Sequence, residues 1–334
     1  MRLPALALAF LPAAALAAPP VVKWEVAAEP DVRVETFATG LAHPWSLAFL
    51  PDGRMLVTER PGRMRLVGRD GRLSAPLAGL PAIPEIGQGG LMDVALAPDF
   101  ATSRILYFSH ATGTSEANAT AVSRARLDGS RLQDVQQILR NPRNKRGGQH
   151  FGSRLLFLPD NSLLVSIGDG GNPPVQLDGA NIRDQAQNAT TWFGSVLRVT
   201  ADGKPAAGNP GKGWDPNVWT IGHRNIQGLA RDPKTGTIWS TEHGARGGDE
   251  LNRMTAGANY GWPVVTYSVE YSGRTITNER SRPGMTDPVS VWTPSTAASG
   301  LAVYRGSVLG SLDGALLAGG LMSQDVRVIR IGAD

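Results

Sequence analysis

The segment Trp45-Ser-Leu-Ala-Phe-Leu-Pro-Asp52 is an alternating apolar run stopped by Pro-Asp, and its pattern returns along the chain. Asp93-Val-Ala-Leu-Ala-Pro-Asp99, Arg154-Leu-Leu-Phe-Leu-Pro-Asp160 and Gly228-Leu-Ala-Arg-Asp232 repeat it, and Gly300-Leu-Ala-Val-Tyr304 repeats it without the Asp. A turn and a second alternating strand follow each marker, expected over Met55 to Glu59, Ile105 to His110, Ser162 to Ile167, Thr237 to Glu242 and Ala315 to Leu321. Several units add a third, over Met64 to Val67, Ala121 to Leu127, Val196 to Thr200 and Val326 to Ile331. Period-two alternation bounded by Asp-Gly, Pro-Gly and Gly-Gly is the signature of strands and hairpins. Units of three or four such strands, recurring every ~45 to 75 residues, read as blades of a β-propeller. A β-sandwich would leave the repeated unit unexplained. Five units are visible, and closing such a ring generally takes an N-terminal strand, expected here over Val32 to Phe37, paired with the last blade.

Composition agrees with an all-β chain. Among 334 residues there are 40 Gly and 24 Pro, too many interruptions for a helical bundle, while 41% apolar residues suffice for a large core. The absence of Cys excludes disulfides, thiolate zinc sites, iron–sulfur clusters and Cys nucleophiles. A net charge of +4 is too small a surplus for a nucleic-acid footprint. The densest basic run, Arg140 to Arg146, reads as a solvated loop, with an anion-binding rim as the alternative.

At the N-terminus Arg2 precedes the apolar run Leu3 to Leu16, and Ala15-Leu-Ala17 supplies small residues for a signal peptidase. Residues 1–17 are therefore expected to be a signal peptide, and the mature chain to start at Ala18. No later run reaches the ~18 apolar residues of a membrane span. The expected location is periplasmic or secreted.

Familiar catalytic signatures are missing. The sequence has no Gly-x-Ser-x-Gly elbow, no His-Glu-x-x-His, no phosphate-cradling loop and no complete Gly-x-Gly-x-x-Gly. What remains are polar residues crowded at strand ends: Gln88, His150, Asp169, His223-Arg-Asn225 and Glu242-His-Gly244 leading into Asp249-Glu250. In a propeller such loops converge on the mouth of the central channel. His43 and His110 read as structural. His150 opens a strand after Gly147-Gly-Gln149, and Asp169 ends the next strand. Such a pair is either a general base with its orienting carboxylate or a satisfied surface pair, and spacing alone leaves both open.

These residues also carry a family resemblance. Leu41-Ala-His-Pro-Trp-Ser-Leu-Ala-Phe-Leu-Pro-Asp-Gly53, Gly87-Gln-Gly-Gly-Leu91, His150-Phe-Gly-Ser-Arg-Leu155 with Ile167-Gly-Asp169, Gly222-His-Arg-Asn-Ile-Gln-Gly-Leu229, Glu242-His-Gly-Ala-Arg-Gly-Gly-Asp-Glu-Leu-Asn252 and Asn259-Tyr-Gly-Trp-Pro263 occur in order. Together they resemble the soluble aldose sugar dehydrogenases dependent on pyrroloquinoline quinone (PQQ), six-bladed propellers of the glucose/sorbosone dehydrogenase family. The resemblance implies that an aldose sugar is oxidised at its anomeric carbon to a lactone, with hydride passing to PQQ and Ca2+ assisting. It casts His150 as catalytic base, Asp169 as its orienting carboxylate, and Arg224 and Asn225 as neighbours of the quinone oxygens. Gln88 and Tyr271 become cofactor contacts, and Trp292 a substrate-side aromatic. The carbonyls of Gly244 and Ala245 would hold the catalytic Ca2+, although family members usually carry Pro where Ala245 stands. Glu250 and Tyr260 would hold a second, structural Ca2+.

The chain departs from the family pattern in two places. Met322 stands where members carry a Lys that pairs with the cofactor's acidic groups, and the sequence reaches Asp334 before the segment bearing an Arg-x-Arg pair. Residues 18–334 are thus expected to form a propeller domain shortened at its C-terminus, with the last blade incomplete. Losing up to three cations that face a tricarboxylate would cost several kcal/mol, at ~1.5–3 kcal/mol per charged hydrogen bond. Two other functions fit the residues: a Ca2+-dependent propeller lactonase, and a non-catalytic propeller that binds carbohydrate or protein. The preferred sugar and the electron acceptor are not legible in the sequence.

Overall fold

A computed structural model of the chain describes residues 32–332. The expected signal peptide lies outside the described residues. The described chain is a five-bladed arrangement of antiparallel sheets with few and short helical turns. The first blade is β1 (Pro44–Phe49), β2 (Met55–Glu59) and β3 (Arg63–Val67). The second is β4 (Leu91–Leu96), β5 (Ile105–Thr114), β6 (Ala117–Asp128) and β7 (Arg131–Arg140). In the third, β8 (Leu155–Phe157) and β9 (Leu163–Ile167) are followed by a small hairpin, β10 (Gln176–Leu177) with β11 (Ala180–Asn181). The blade resumes with β12 (Ser195–Val199) and β13 (Val218–Thr220). The fourth is β14 (Ile226–Arg231), β15 (Ile238–Glu242), β16 (Asp249–Met254) and β17 (Ser290–Trp292). The fifth is β18 (Ala298–Val303), β19 (Leu316–Gly320) and β20 (Asp325–Ile329).

The recurring Asp has a local physical cause. Asp52 Oδ1 accepts the N–H of Arg54 at 3.1 Å, Asp160 Oδ1 that of Ser162 at 3.0 Å, and Asp232 Oδ1 that of Lys234 at 2.9 Å. Each carboxylate turns the chain back two residues on, and the turn joins the first strand of a blade to the second.

The core is divided by the blades. Leu56, Met64, Leu91, Leu106 and Phe108 pack between the first and second, and Tyr107, Val122, Leu163, Leu197 and Val199 between the second and third. Leu164, Val196, Ile226 and Leu229 fill the third interface, and Trp239, Leu251, Trp292, Leu316 and Ile329 the fourth. Neighbouring first strands touch in chain order, β1 to β4 to β8 to β14 to β18. A cleft of about 760 Å³ opens between the first and fifth blades, where Trp45, Leu47, Leu301 and Leu317 line it, and reaches Val94 and Leu229 on the inner strands of the second and fourth.

One expected element is not formed. Residues 32–40 carry no strand, so Val32 to Phe37 does not pair with β20. This segment passes Gly71 instead, so closely that a Cβ there would lie 2.1 Å from the Phe37 carbonyl oxygen. Val34 and Phe37 are exposed. No helix among the described residues is long and apolar enough to cross a membrane.

Candidate active site

The loops before β8 and β14 and the loop after β9 bring His150, Asp169, Arg224 and Asn225 together. His150 Nδ1 lies 2.6 Å from Asp169 Oδ1, with both side chains buried. The backbone of His150 has φ 48°, and its N–H donates to Gln88 Oε1 at 2.9 Å, which fixes the turn that aims the ring inward. Asp169 is held from three sides. Its Oδ1 also accepts the Gly171 N–H at 3.0 Å, and its Oδ2 accepts the indole N–H of Trp262 at 2.7 Å. The Asp169 N–H in turn donates to the Arg224 carbonyl at 2.8 Å.

Burial, and after it the Arg224 cation, hold the His150 imidazole down to about 4, against the opposing pull of Asp169. The ring is therefore neutral at physiological pH. A neutral imidazole beside a carboxylate carries its proton on Nδ1, which leaves the Nε2 lone pair as a base.

Arg224 is almost wholly buried. Its Nη1 donates to the His243 carbonyl at 3.2 Å and its Nη2 to Asn172 Oδ1 at 2.9 Å, while the buried Nε–H has no partner. An unused donor on a desolvated cation is suited to a planar anionic ligand rich in oxygen. Asn225 Oδ1 accepts the Gly152 N–H at 3.0 Å, two residues beyond the His150 turn. Beneath Arg224 lies Glu242, whose carboxylate meets His223 Nδ1, the Arg224 N–H and Asn252 Nδ2 at 2.8 to 3.0 Å.

The loop after Glu242 is built from main-chain contacts. The N–H of Gly244 donates to Asp249 Oδ1 at 3.0 Å and that of Ala245 to Ser268 Oγ at 2.9 Å. A Cβ at Gly244 would lie 2.1 Å from the Gly247 carbonyl oxygen, so only glycine fits. Within the described residues neither the Gly244 nor the Ala245 carbonyl accepts a hydrogen bond. No three His, Asp or Glu side chains converge to hold a metal among the described residues. A cation here would rest on main-chain oxygens, hard donors of the kind Ca2+ takes.

The remaining expected site residues are distributed differently. Glu250 is part-buried, and burial together with Glu242, Asp249 and Asp287 pushes its carboxyl well above the usual range. Its Oε2 accepts from Asn252 Nδ2 at 3.2 Å, so it shares a partner with Glu242. Tyr260 is packed: its ring stacks on His223 with centroids 4.7 Å apart, and its hydroxyl donates to the Arg253 carbonyl at 2.7 Å. Tyr271 is 61% exposed in a turn between Glu270 and Arg274 and is not joined to the His150 network. Trp292 lies in the core. It is fully buried on β17 in the apolar layer between the fourth and fifth blades, and it faces no accessible surface. Met322 is exposed.

Trp262 and Asn172 were not singled out from the sequence, although both touch this network. Trp262 stands in Asn259-Tyr-Gly-Trp-Pro263, but no spacing rule tells a donor to Asp169 from a core aromatic.

Comparison with known proteins places the chain. The glucose/sorbosone dehydrogenase family pattern matches residues 41–334. An uncharacterized protein of Synechocystis is 49% identical over 316 residues, covering 91% of this chain and 76% of the relative. Aldose sugar dehydrogenase YliI of Escherichia coli is 38% identical over 317 residues, covering 92% and 83% of the two chains. Among solved structures, the PQQ-bound aldose sugar dehydrogenase of Streptomyces coelicolor superposes with a TM-score of 0.71 at 31% identity, covering 90% of this chain and 80% of that one. The chain belongs to the glucose/sorbosone dehydrogenase family.

Proposed function

We propose that this chain is a quinoprotein dehydrogenase that oxidises the anomeric carbon of aldose sugars to lactones, with PQQ and Ca2+ as its cofactors. The observation that carries this reading is the buried His150–Asp169 pair at 2.6 Å beside the unpartnered Nε of Arg224. PQQ, when bound, supplies the acceptor for the hydride that leaves carbon 1, with Ca2+ as a Lewis acid on the quinone. His150 takes the proton of the anomeric hydroxyl on Nε2, and Asp169 stabilises the imidazolium that results. Arg224 aims its cation at the quinone oxygens, where negative charge develops. Asn225, Gln88 and Tyr271 are the further cofactor contacts. The Gly244 and Ala245 carbonyls hold the catalytic Ca2+. Glu250 and Tyr260 hold the structural one, where a cation would relieve the crowding of carboxylates around Glu250. The chain is proposed to be exported, with residues 1–17 removed.

The test is reconstitution with PQQ and Ca2+, followed by absorbance as glucose is added. A quinone spectrum that changes on glucose addition, together with reduction of an artificial dye, is the expected result. His150→Ala is expected to retain PQQ and to lose dye reduction. Hydrolysis of lactones with Ca2+ and no quinone would instead make the protein a lactonase, and sugar binding without electron transfer a binding propeller.

A further inference from the structure

Trp262 occupies a place that its burial alone does not explain. It is 5% exposed, and three polar attachments converge on its indole. Its Nε1–H donates to Asp169 Oδ2 at 2.7 Å. The guanidinium of Arg224 lies 5.5 Å from the ring centroid and that of Arg183 5.7 Å from it. Arg183 is itself tied to Glu270 at 2.7 Å. The backbone is pinned as well: the Trp262 N–H donates to the Gly222 carbonyl at 2.9 Å, and its carbonyl accepts from Gln187 Nε2 at 2.7 Å. One side chain thus contacts both the carboxylate that orients the base and the cation beside it.

Resting on the reading of His150 as base and Asp169 as its partner, we propose that Trp262 is a positioning residue for this reaction. Its indole N–H holds Asp169 Oδ2 so that Oδ1 stays on His150 Nδ1, and its ring seats the Arg224 guanidinium. Without that N–H the carboxylate is free to rotate about its own axis, and both oxygens then compete for His150 and Gly171. The consequence falls on the base. A carboxylate stripped of one donor presents more of its charge to the imidazolium, so His150 becomes easier to protonate. The other groups that face the His150 ring, Arg224 and His243, remain in place.

Trp262→Phe keeps an aromatic face for Arg224 and removes only the N–H. In the PQQ- and Ca2+-loaded protein it is expected to lower kcat by about 10- to 100-fold and to leave KM within about threefold, the split that loss of transition-state alignment produces. The acidic limb of its kcat/KM profile is expected to move to higher pH, which a packing defect would not cause. A second readout needs no activity. In the cofactor-free protein, the Trp262 indole 15N–1H resonance is expected to be protected from solvent exchange and to shift when Asp169→Asn is introduced. Wild-type kcat with an unmoved pH limb in Trp262→Phe would overturn the proposal. So would an indole resonance indifferent to Asp169→Asn, a result that also decides the matter if Trp262→Phe does not fold. Failure of the wild type to oxidise any aldose would count against the dehydrogenase reading itself, and the resonance would still report on the hydrogen bond.

Discussion

Glu242 holds Arg224 by its backbone: Oε2 accepts the Arg224 N–H at 2.8 Å while Oε1 takes His223 Nδ1 at 2.9 Å. His223 reaches on to Thr220 Oγ1 at 2.9 Å, and Asn252 links Glu242 to Glu250. The guanidinium of Arg224 is therefore aimed from beneath, by a carboxylate that never touches it.

Glu242→Gln keeps the shape and replaces an acceptor with an amide that cannot serve all three donors. A buried donor left unpaired costs ~1–3 kcal/mol, and more where a charge is involved. The expected outcome is a loss of about 2–3 kcal/mol of stability in urea unfolding, with kcat/KM reduced at least tenfold as Arg224 loses its register. An unchanged midpoint would show that the network contributes nothing to the fold.

The pH dependence follows from the His150 environment. The base must be neutral to accept a proton, and burial with the Arg224 cation holds its ring down to about 4. With an ordinary His, activity would be lost on acidification near pH 6.5. The acidic limb of kcat/KM is expected clearly below that value, measured with dye reduction from pH 4 to 8. A limb at or above 6.5 would mean that the ring is solvated or that Asp169 dominates it.

Much of the architecture could be read from the sequence because a blade's inner strands must be apolar on alternate residues and must end in a turn. β2 coincides with its expected limits, and β9, β15 and β19 agree to within a residue or so. The strands that were not anticipated lie farther out in the second, third and fourth blades. β7, Arg-Leu-Gln-Asp-Val-Gln-Gln-Ile-Leu-Arg, is mostly solvated and carries no apolar alternation strong enough to announce it. β16 reads as a polar motif, yet Asp249 and Asn252 are buried there because they bond to Gly244 and Glu242. The same limit governed the site. His150 precedes one strand and Asp169 follows the next, so they were legible as a pair. Trp292 and Tyr271 are lone aromatics, and sequence alone does not separate a core ring from an exposed one. Burial put the first inside and left the second in solvent.

Lys145 gives a linkage prediction that is read in stability, with burial lowering its ammonium against the opposing pull of Asp169. It is buried, its Nζ lies 3.9 Å from the Phe151 ring centroid, and burial lowers it from 10.5 to about 7. Between about pH 7 and 10.5 the unfolded chain carries a proton that the folded chain lacks, so stability rises with pH across that window. Lys145→Met removes the titration. The difference in melting temperature between wild type and variant is expected to shrink steadily in favour of the wild type from pH 7 to 9.5, by scanning calorimetry. Parallel curves would place the ammonium in water.

Gly168 sets the distance between the two halves of the dyad. It sits one residue before Asp169, and a Cβ there would lie 2.2 Å from the His150 carbonyl oxygen and 2.6 Å from its carbonyl carbon. The obstruction is backbone against backbone, so no rotamer relieves it, and the His150 turn must move away from the strand that carries Asp169. Gly168→Ala is expected to cost about 1–3 kcal/mol as an overpacked site. The larger effect is on chemistry, because a displacement of about 1 Å in a base costs on the order of 100-fold in rate. Gly310→Ala is the matched control: nothing lies within 4 Å of its added Cβ, and stability and activity are expected to stay at wild-type levels. Measured side by side for melting temperature and dye reduction, a Gly168→Ala protein with full activity would show that the His150–Asp169 contact tolerates a shifted backbone.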